Sequence, residues 1–107
     1  NVADLAAKHG VQVALYGHAN FYVEHALDSA RIVDKAQRRN LGATINLCHE
    51  YMSGVGDRHE AAVQAVARKA TRVSINGVDT ASKRYITRLD QGDFDLVRYL
   101  RALKAAG

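Results

Sequence analysis

The stretch Ala43-Thr44-Ile45-Asn46-Leu47 predicts a β-strand, because apolar residues at 43, 45 and 47 alternate with polar residues at 44 and 46. Period-two alternation places the apolar side chains on one face of a sheet and the polar ones on the other. Residues 11–16 and 72–76 show the same alternation and are also rich in β-branched side chains. The sequence therefore predicts three strands with one apolar face each.

Helical patterns separate these strands. Apolar residues recur at helical spacing over residues 2–8, 24–39 and 57–70, and again after residue 93. Asp57 with Glu60 three residues later has the spacing of a capping box, and Asp93 or Asp95 can cap the last helix. Since the strands start at residues 11, 43 and 72, strand–helix alternation predicts βα units and a parallel sheet.

The two faces of the predicted sheet favour a barrel. A doubly wound sheet, such as a flavodoxin-like one, buries both faces and stays the alternative. A (β/α)8 TIM barrel covers one face with helices, and polar groups collect at the carboxyl ends of its strands. We therefore predict an α/β fold in which residues 1–107 form a single domain, a partial TIM barrel of about three parallel βα units. Because a whole barrel needs about 250 residues, we expect missing sequence or another chain to supply the rest.

Composition narrows the class of protein. Hydrophobic residues make up 48% and charged residues 24%, as in globular chains, which excludes a disordered or low-complexity protein. No apolar run is long enough for a membrane span. The net charge of +4 is spread along the chain, which disfavours nucleic acid as a partner. The single cysteine, Cys48, fits a reducing compartment, and we expect a cytoplasmic location.

Polar residues near the carboxyl ends of the strands are the candidate site, because barrels place their chemistry there. His18 and His49 follow neighbouring strands, and imidazole can bind a metal or move a proton. The alternative for both is a hydrogen-bonded loop histidine. Asn46 and Asn76 end strands, and their amides suit sugar hydroxyls or, alternatively, neighbouring backbone.

Two more features belong to this candidate site. Glu50 can act as a general base or a ligand, but its place beside His49 also allows it to face solvent. Cys48 is interpreted as a small buried side chain, because no activating partner is evident. The polar segment 77–93 is predicted to be a long loop with a functional or mobile character.

Four motifs in order resemble the central units of the xylose-isomerase-like TIM barrels. They are Val-Ala-Leu-Tyr-Gly-His at 13–18, Asn-Leu-Cys-His at 46–49, Val-Ser-Ile-Asn-Gly at 73–77 and Gly-Asp-Phe-Asp at 92–95. The resemblance implies an isomerase or epimerase that acts on a small sugar or sugar phosphate and moves a proton beside a carbonyl. It also implies a divalent metal such as Mn²⁺, with Mg²⁺, Co²⁺ and Zn²⁺ as alternatives. The superfamily includes endonuclease IV, but this segment lacks that enzyme's cluster of metal-binding residues.

The chain departs from the family at the metal ligands. Members hold the ion with Glu, Asp, His and Glu from successive strands, and Tyr16, Asn46 and Ser74 stand at the first three positions. His18 and His49 match positions where the family has histidine beside the metal. The resemblance therefore implies two hypotheses. The first is an enzyme with His49 and His18 as catalytic and metal-binding residues, with the substrate contacted by Tyr16, Asn46, Asn76 and Glu50. The second is a non-catalytic carbohydrate-binding pseudoenzyme of the same fold.

Overall fold

Three parallel strands form the central sheet of the computed structural model, which describes residues 1–107. They are β1 (Val13–Leu15), β2 (Leu41–Asn46) and β3 (Ala70–Ser74), with β2 in the middle. The helices are α1 (Val2–Ala7), α2 (Ala26–Ala36), α3 (Leu47–Met52), α4 (His59–Val66) and α5 (Leu96–Ala106). A separate antiparallel hairpin consists of β4 (Gly77–Asp79) and β5 (Arg84–Thr87). None of the helices is both long and apolar enough to cross a membrane.

The predicted parallel sheet is confirmed, with shifted strand ends. Leu15 of β1 pairs with Ala43 of β2, and Ile45 pairs with Val73 of β3. The first strand is shorter than predicted because the N–H of Val11 donates to the carbonyl of Ala6 at the end of α1, 3.0 Å away. The strand ladder starts only two residues later.

The apolar face of the sheet packs against the helices, as the alternation predicted. Ile45 lies at the centre of β2 and contacts a layer formed by α2, α4 and α5. On the opposite face Ala14 and Arg72 of the outer strands are exposed, whereas Thr44 and Asn46 of the central strand are buried. Burial of each large apolar side chain in such a core contributes about 1.5–3 kcal/mol. Nine buried residues form this core: Ala26, Ala30, Ala43, Ile45, Leu47, Val63, Val66, Val78 and Tyr99.

Two predicted loops are regular structure. Leu47, expected to end the second strand, and residues 48–52, expected to be a loop, form α3 directly after β2. Residues 77–93, expected to be one long loop, contain the β4–β5 hairpin. The hairpin forms because the guanidinium of Arg84 donates to Asp79 across it, 2.9 Å away. The carboxylate of Asp93 accepts hydrogen bonds from the N–H and the hydroxyl of Thr80, both at 2.7 Å. These bonds tie the turn between β4 and β5 to the segment before α5.

The capping prediction is wrong at one helix and right at another. No side chain caps α4, which follows a 3₁₀ turn at Gly56–Arg58. Glu60, the expected capping-box partner of Asp57, instead pairs with Arg98 of α5 at 2.6 Å. At α5 the side chain of Asp95 accepts the N–H of Arg98, 2.9 Å away, as an N-cap should.

Candidate functional site

Four side chains from the ends of β1 and β2 meet in what we call the strand-end cluster: Tyr16, His18, Asn46 and His49. The rings of His18 and His49, here called the histidine pair, lie with centroids 4.0 Å apart and a tilt of 37°. The edge of the Tyr16 ring meets His49 at a centroid distance of 5.7 Å. The parallel pairing of β1 with β2 produces this meeting, because it brings both carboxyl ends to the same edge of the sheet.

A tight loop over residues 17–25 positions His18. The N–H of His18 donates to the carbonyl of Val23 at 2.9 Å, which folds the loop back on itself. A Cβ at Gly17 would lie 3.0 Å from the carbonyl oxygen of Glu24, so any larger residue would push this backbone apart by a few tenths of an ångström. Asn20 adopts a left-handed conformation at φ 67°, and its N–H donates to the Glu24 carboxylate at 2.8 Å.

The backbone of one residue in this loop, Ala19, contacts both histidines through two successive peptide groups. The N–H of Ala19 donates to Nδ1 of His49 at 3.3 Å. The carbonyl oxygen of Ala19 lies 2.9 Å from Nδ1 of His18. Neither Nε2 atom has a hydrogen-bond partner within the chain, so both remain available to a ligand.

The electrostatics of the pair favour a neutral His49. Burial lowers the pKa of His49, and the neighbouring His18 lowers it further. His49 is only 7% exposed, whereas His18 lies at the surface. Because the two rings touch, a second positive charge on the pair is unfavourable. His49 is therefore neutral near neutral pH.

Asn46 positions Tyr16. The Nδ2 of Asn46 donates to the Tyr16 hydroxyl, and its Oδ1 accepts from Sγ of Cys48 at 3.1 Å. Both ends of this buried amide are therefore engaged inside the protein. Burial raises the pKa of the Cys48 thiol, so the sulfur stays protonated and acts as a small donor.

Glu50 does not join the strand-end cluster. Its Oε1 accepts the N–H of Ala26 at the start of α2, 2.7 Å away, and the residue is 2% exposed. Burial raises the pKa of the Glu50 carboxyl, although the Ala26 bond acts in the opposite direction. Its second oxygen has no partner and lies beside a groove of about 510 Å³ between α2 and α4. The arrangement makes Glu50 a link between α3 and α2.

Asn76 also lies outside the cluster. Its Nδ2 donates to the carbonyls of Gly77 at 2.7 Å and Tyr85 at 2.6 Å. These bonds tie the end of the third strand to the hairpin. Asp79 is engaged in the same hairpin, where the Arg84 guanidinium and the Ser82 N–H lower its pKa to about 2.

The donor set of this chain does not fit a metal centre. No group of three or more His, Cys, Asp or Glu side chains is placed to hold an ion. In the histidine pair both Nδ1 atoms already face Ala19, which leaves two Nε2 atoms and no carboxylate. Tyr16 and Asn46 bond to each other, and neutral oxygens are weak ligands for hard divalent cations.

Sequence reasoning missed two residues of the site. Ala19 acts through its backbone, and a peptide group leaves no signature in a sequence. Phe21 places the edge of its ring against His18, with centroids 4.6 Å apart, while remaining 66% exposed. The adjacent aromatic pair at 21 and 22, in an otherwise polar loop, is the signal that could have indicated it.

Comparison with known proteins identifies the family. The family model described as xylose isomerase-like TIM barrel matches residues 1–107, which is the whole chain. No curated protein and no solved structure matches it. The three parallel βα units and the strand-end position of the cluster agree with that fold. The chain therefore belongs to the xylose isomerase-like TIM barrel family.

Proposed function

We propose that the strand-end cluster binds a sugar or sugar phosphate and moves a proton next to its carbonyl group. The observation that carries this proposal is the histidine pair, which presents two free Nε2 atoms at the carboxyl ends of two parallel strands. Active sites of TIM barrels lie at this end of the strands. Membership of the family supports a carbohydrate-like ligand.

Proton transfer beside a carbonyl needs two groups. A base removes the proton from carbon, and a donor stabilises the negative charge that develops on oxygen. Imidazole can fill either role near neutral pH. In this site Tyr16, whose ring is half exposed, is available to contact a sugar hydroxyl, and Asn46 fixes its direction.

The proposed proton transfer does not use the divalent metal that the family resemblance implies. The residues present offer two nitrogen atoms and no anionic oxygen at the cluster. We therefore propose that the proton transfer uses the side chains of the cluster. A metal such as Mn²⁺, if bound, would polarise the substrate carbonyl and would take ligands from beyond the strand-end cluster.

A second candidate function is carbohydrate binding without catalysis. Tyr16 and Asn46, which stand at two expected ligand positions, are engaged with each other and carry no charge. Tyr16, the exposed member of this pair, offers a neutral hydroxyl that suits the hydroxyl groups of a sugar. The two candidate functions differ in one respect, which is whether a bound sugar exchanges its carbon-bound hydrogen with solvent.

The test is hydrogen exchange in D₂O. The 107-residue chain is incubated with D-fructose, D-tagatose or D-ribulose 5-phosphate, and loss of the C–H signals next to the carbonyl is followed by proton NMR. We expect exchange with at least one sugar and a loss of about 100-fold in rate for His49→Ala. His9→Ala is the matched control, because His9 is exposed in the turn after α1.

Three outcomes separate the hypotheses. Exchange that depends on His49 supports the proposed proton transfer. Binding of a sugar without exchange, detected by calorimetry, supports the non-catalytic alternative and contradicts catalysis. Absence of both binding and exchange for all three sugars contradicts both functions.

A further inference from the structure

We propose that the backbone N–H and carbonyl of Ala19 hold the histidine pair in opposite tautomers, so that Nε2 of His18 accepts the substrate's proton and the Nε2–H of His49 binds its carbonyl oxygen. This assignment rests on the proposed function, and it names the role of each ring. It also specifies the class of reaction. One proton acceptor on one face of the substrate favours aldose–ketose isomerisation over epimerisation.

The tautomers follow from the direction of two hydrogen bonds. A backbone N–H can only donate, so Nδ1 of His49, which receives the Ala19 N–H at 3.3 Å, carries no proton. The proton of neutral His49 is therefore on Nε2. A backbone carbonyl can only accept, so Nδ1 of His18, 2.9 Å from the Ala19 oxygen, carries the proton. Neutral His18 therefore presents a lone pair at Nε2.

The N–H and carbonyl of Ala19 also decide which ring takes an added proton. If His49 were protonated at Nδ1, its new N–H would oppose the N–H of Ala19, and the bond would be lost. If His18 is protonated at Nε2, its Nδ1–H still donates to the Ala19 carbonyl, which stabilises the cation. Burial also disfavours the charged form of His49, while His18 is exposed.

The chemistry balances with these two groups. The C–H proton of a ketose, on the carbon next to the carbonyl, passes to Nε2 of His18, which becomes an imidazolium. The C–H electron pair forms the C=C bond of an enediolate, and the carbonyl π electrons move onto oxygen. The Nε2–H of His49 donates a hydrogen bond to that oxygen.

The return step completes an isomerisation. His18 gives its proton to the former carbonyl carbon, and the C=C electron pair forms the new C–H bond. The hydroxyl on the neighbouring carbon becomes the new carbonyl as its proton passes to the former carbonyl oxygen. The net change is ketose to aldose, with neither ring altered. Epimerisation would require a second group that delivers a proton to the opposite face of the substrate carbon. The histidine pair offers only one proton acceptor, Nε2 of His18, and it serves one face.

The direct test is the tautomeric state of each ring in the free chain. A long-range ¹H–¹⁵N correlation spectrum of the ¹⁵N-labelled chain, recorded above the histidine titration range, separates Nδ1–H from Nε2–H imidazoles. Assignment uses His18→Gln and His49→Gln. We expect the Nδ1–H tautomer for His18 and the Nε2–H tautomer for His49. The variant Ala19→Gly should show the same two tautomers, because it retains the backbone N–H and carbonyl of residue 19. The same tautomer in both rings would overturn the assignment.

A second readout tests the roles with D-fructose in D₂O. Gln at position 49 retains an N–H donor, whereas Gln at position 18 cannot take a proton. We therefore expect His18→Gln to lose at least about 100-fold in exchange rate and His49→Gln to lose less. The reverse order, or a C3 epimer as the main product, would overturn the proposal. If both rings show the same tautomer and the sugar still exchanges its hydrogen, only the tautomer assignment is overturned. If the rings show opposite tautomers and no sugar exchanges its hydrogen, the proposed proton transfer and the catalytic roles of both rings are overturned.

Discussion

The ends of the second and third strands differ in what their polar groups do. At the adjoining ends of β1 and β2, the histidine pair keeps two Nε2 atoms without partners in the chain. After β3, the side chains of Asn76 and Asp79 bond to the hairpin that follows. Both regions hold an amide and titratable side chains that follow the carboxyl end of a parallel strand. Only one of them has hydrogen-bonding capacity left for a ligand.

This difference shows that position at a strand end does not by itself define a site in a barrel. The polar groups of β4 and β5 stabilise local structure, so their loss should unfold the hairpin. The polar groups of the strand-end cluster are held in place but keep hydrogen-bonding atoms without a partner. Their loss should therefore change ligand binding and proton transfer more than stability. Substitutions in the two regions can therefore break or sharpen the comparison.

Gly77→Ala should have the largest effect on stability. A Cβ at this position would overlap the carbonyl oxygens of Arg88 and Gln91, which are backbone atoms with little freedom to move. We expect the free energy of unfolding to fall by about 3 kcal/mol, as for severe overpacking. Urea unfolding followed by circular dichroism measures this. Gly54→Ala is the control, since no atom lies within 4 Å of its added Cβ, and a smaller loss is expected there.

Asn76→Ala and Asn46→Ala compare the two regions directly. Removing the Asn76 amide leaves the carbonyls of Gly77 and Tyr85 without their donor, which should cost about 2 kcal/mol of stability. Asn46→Ala frees the hydroxyl of Tyr16 and should weaken sugar binding. Urea unfolding and calorimetry on both variants test this division. Equal effects of the two substitutions on both measurements would contradict it.

The sequence predicted the sheet because its signal is strong. Ile45 and its neighbours in β2 alternate over a full strand, and the spacing of the three strands specifies parallel pairing. The short elements were missed for the opposite reason. The helix α3 has six residues, too few for helical periodicity, and the strands of the hairpin have three and four. Their stability comes from contacts such as Asp79 with Arg84, which local pattern does not show.

The site was predictable in part. Strand ends correctly indicated Tyr16, His18, Asn46 and His49 as neighbours. Glu50 follows His49 directly, yet successive residues on a helix point about 100° apart, and α3 turns Glu50 towards α2. The sequence reading treated this segment as a loop and could not separate the two directions.

His49 should give the strand-end cluster its own pH dependence. Its pKa is lowered in the folded state, so the unfolded chain binds a proton first as pH falls through about 6.5. The contribution of His49 to the free energy of unfolding is therefore complete above about pH 6.5. It decreases as the pH falls towards the lower pKa of His49 in the folded state. We expect His49→Gln to reduce the slope of unfolding free energy against pH in that window, and His9→Gln, at an exposed turn position, is the matched control. An unchanged slope in His49→Gln would contradict a buried neutral ring.

Asp79→Asn should have the smallest effect, and this effect should be present above about pH 3.8 and fade in strong acid. Its folded pKa of about 2 lies below the ordinary value of 3.8, so the folded chain keeps the carboxylate ionised while the unfolded chain takes up a proton. The stabilisation by Asp79 is full above about pH 3.8 and is lost as pH falls through about 2. The variant should flatten acid unfolding in this range, and added salt should shrink the difference, because the pair with Arg84 lies at the surface. Asp57→Asn, which removes no hydrogen bond, is the control. A loss of sugar binding in Asp79→Asn would show instead that the hairpin shares in the site, and would end the contrast between the two strand ends.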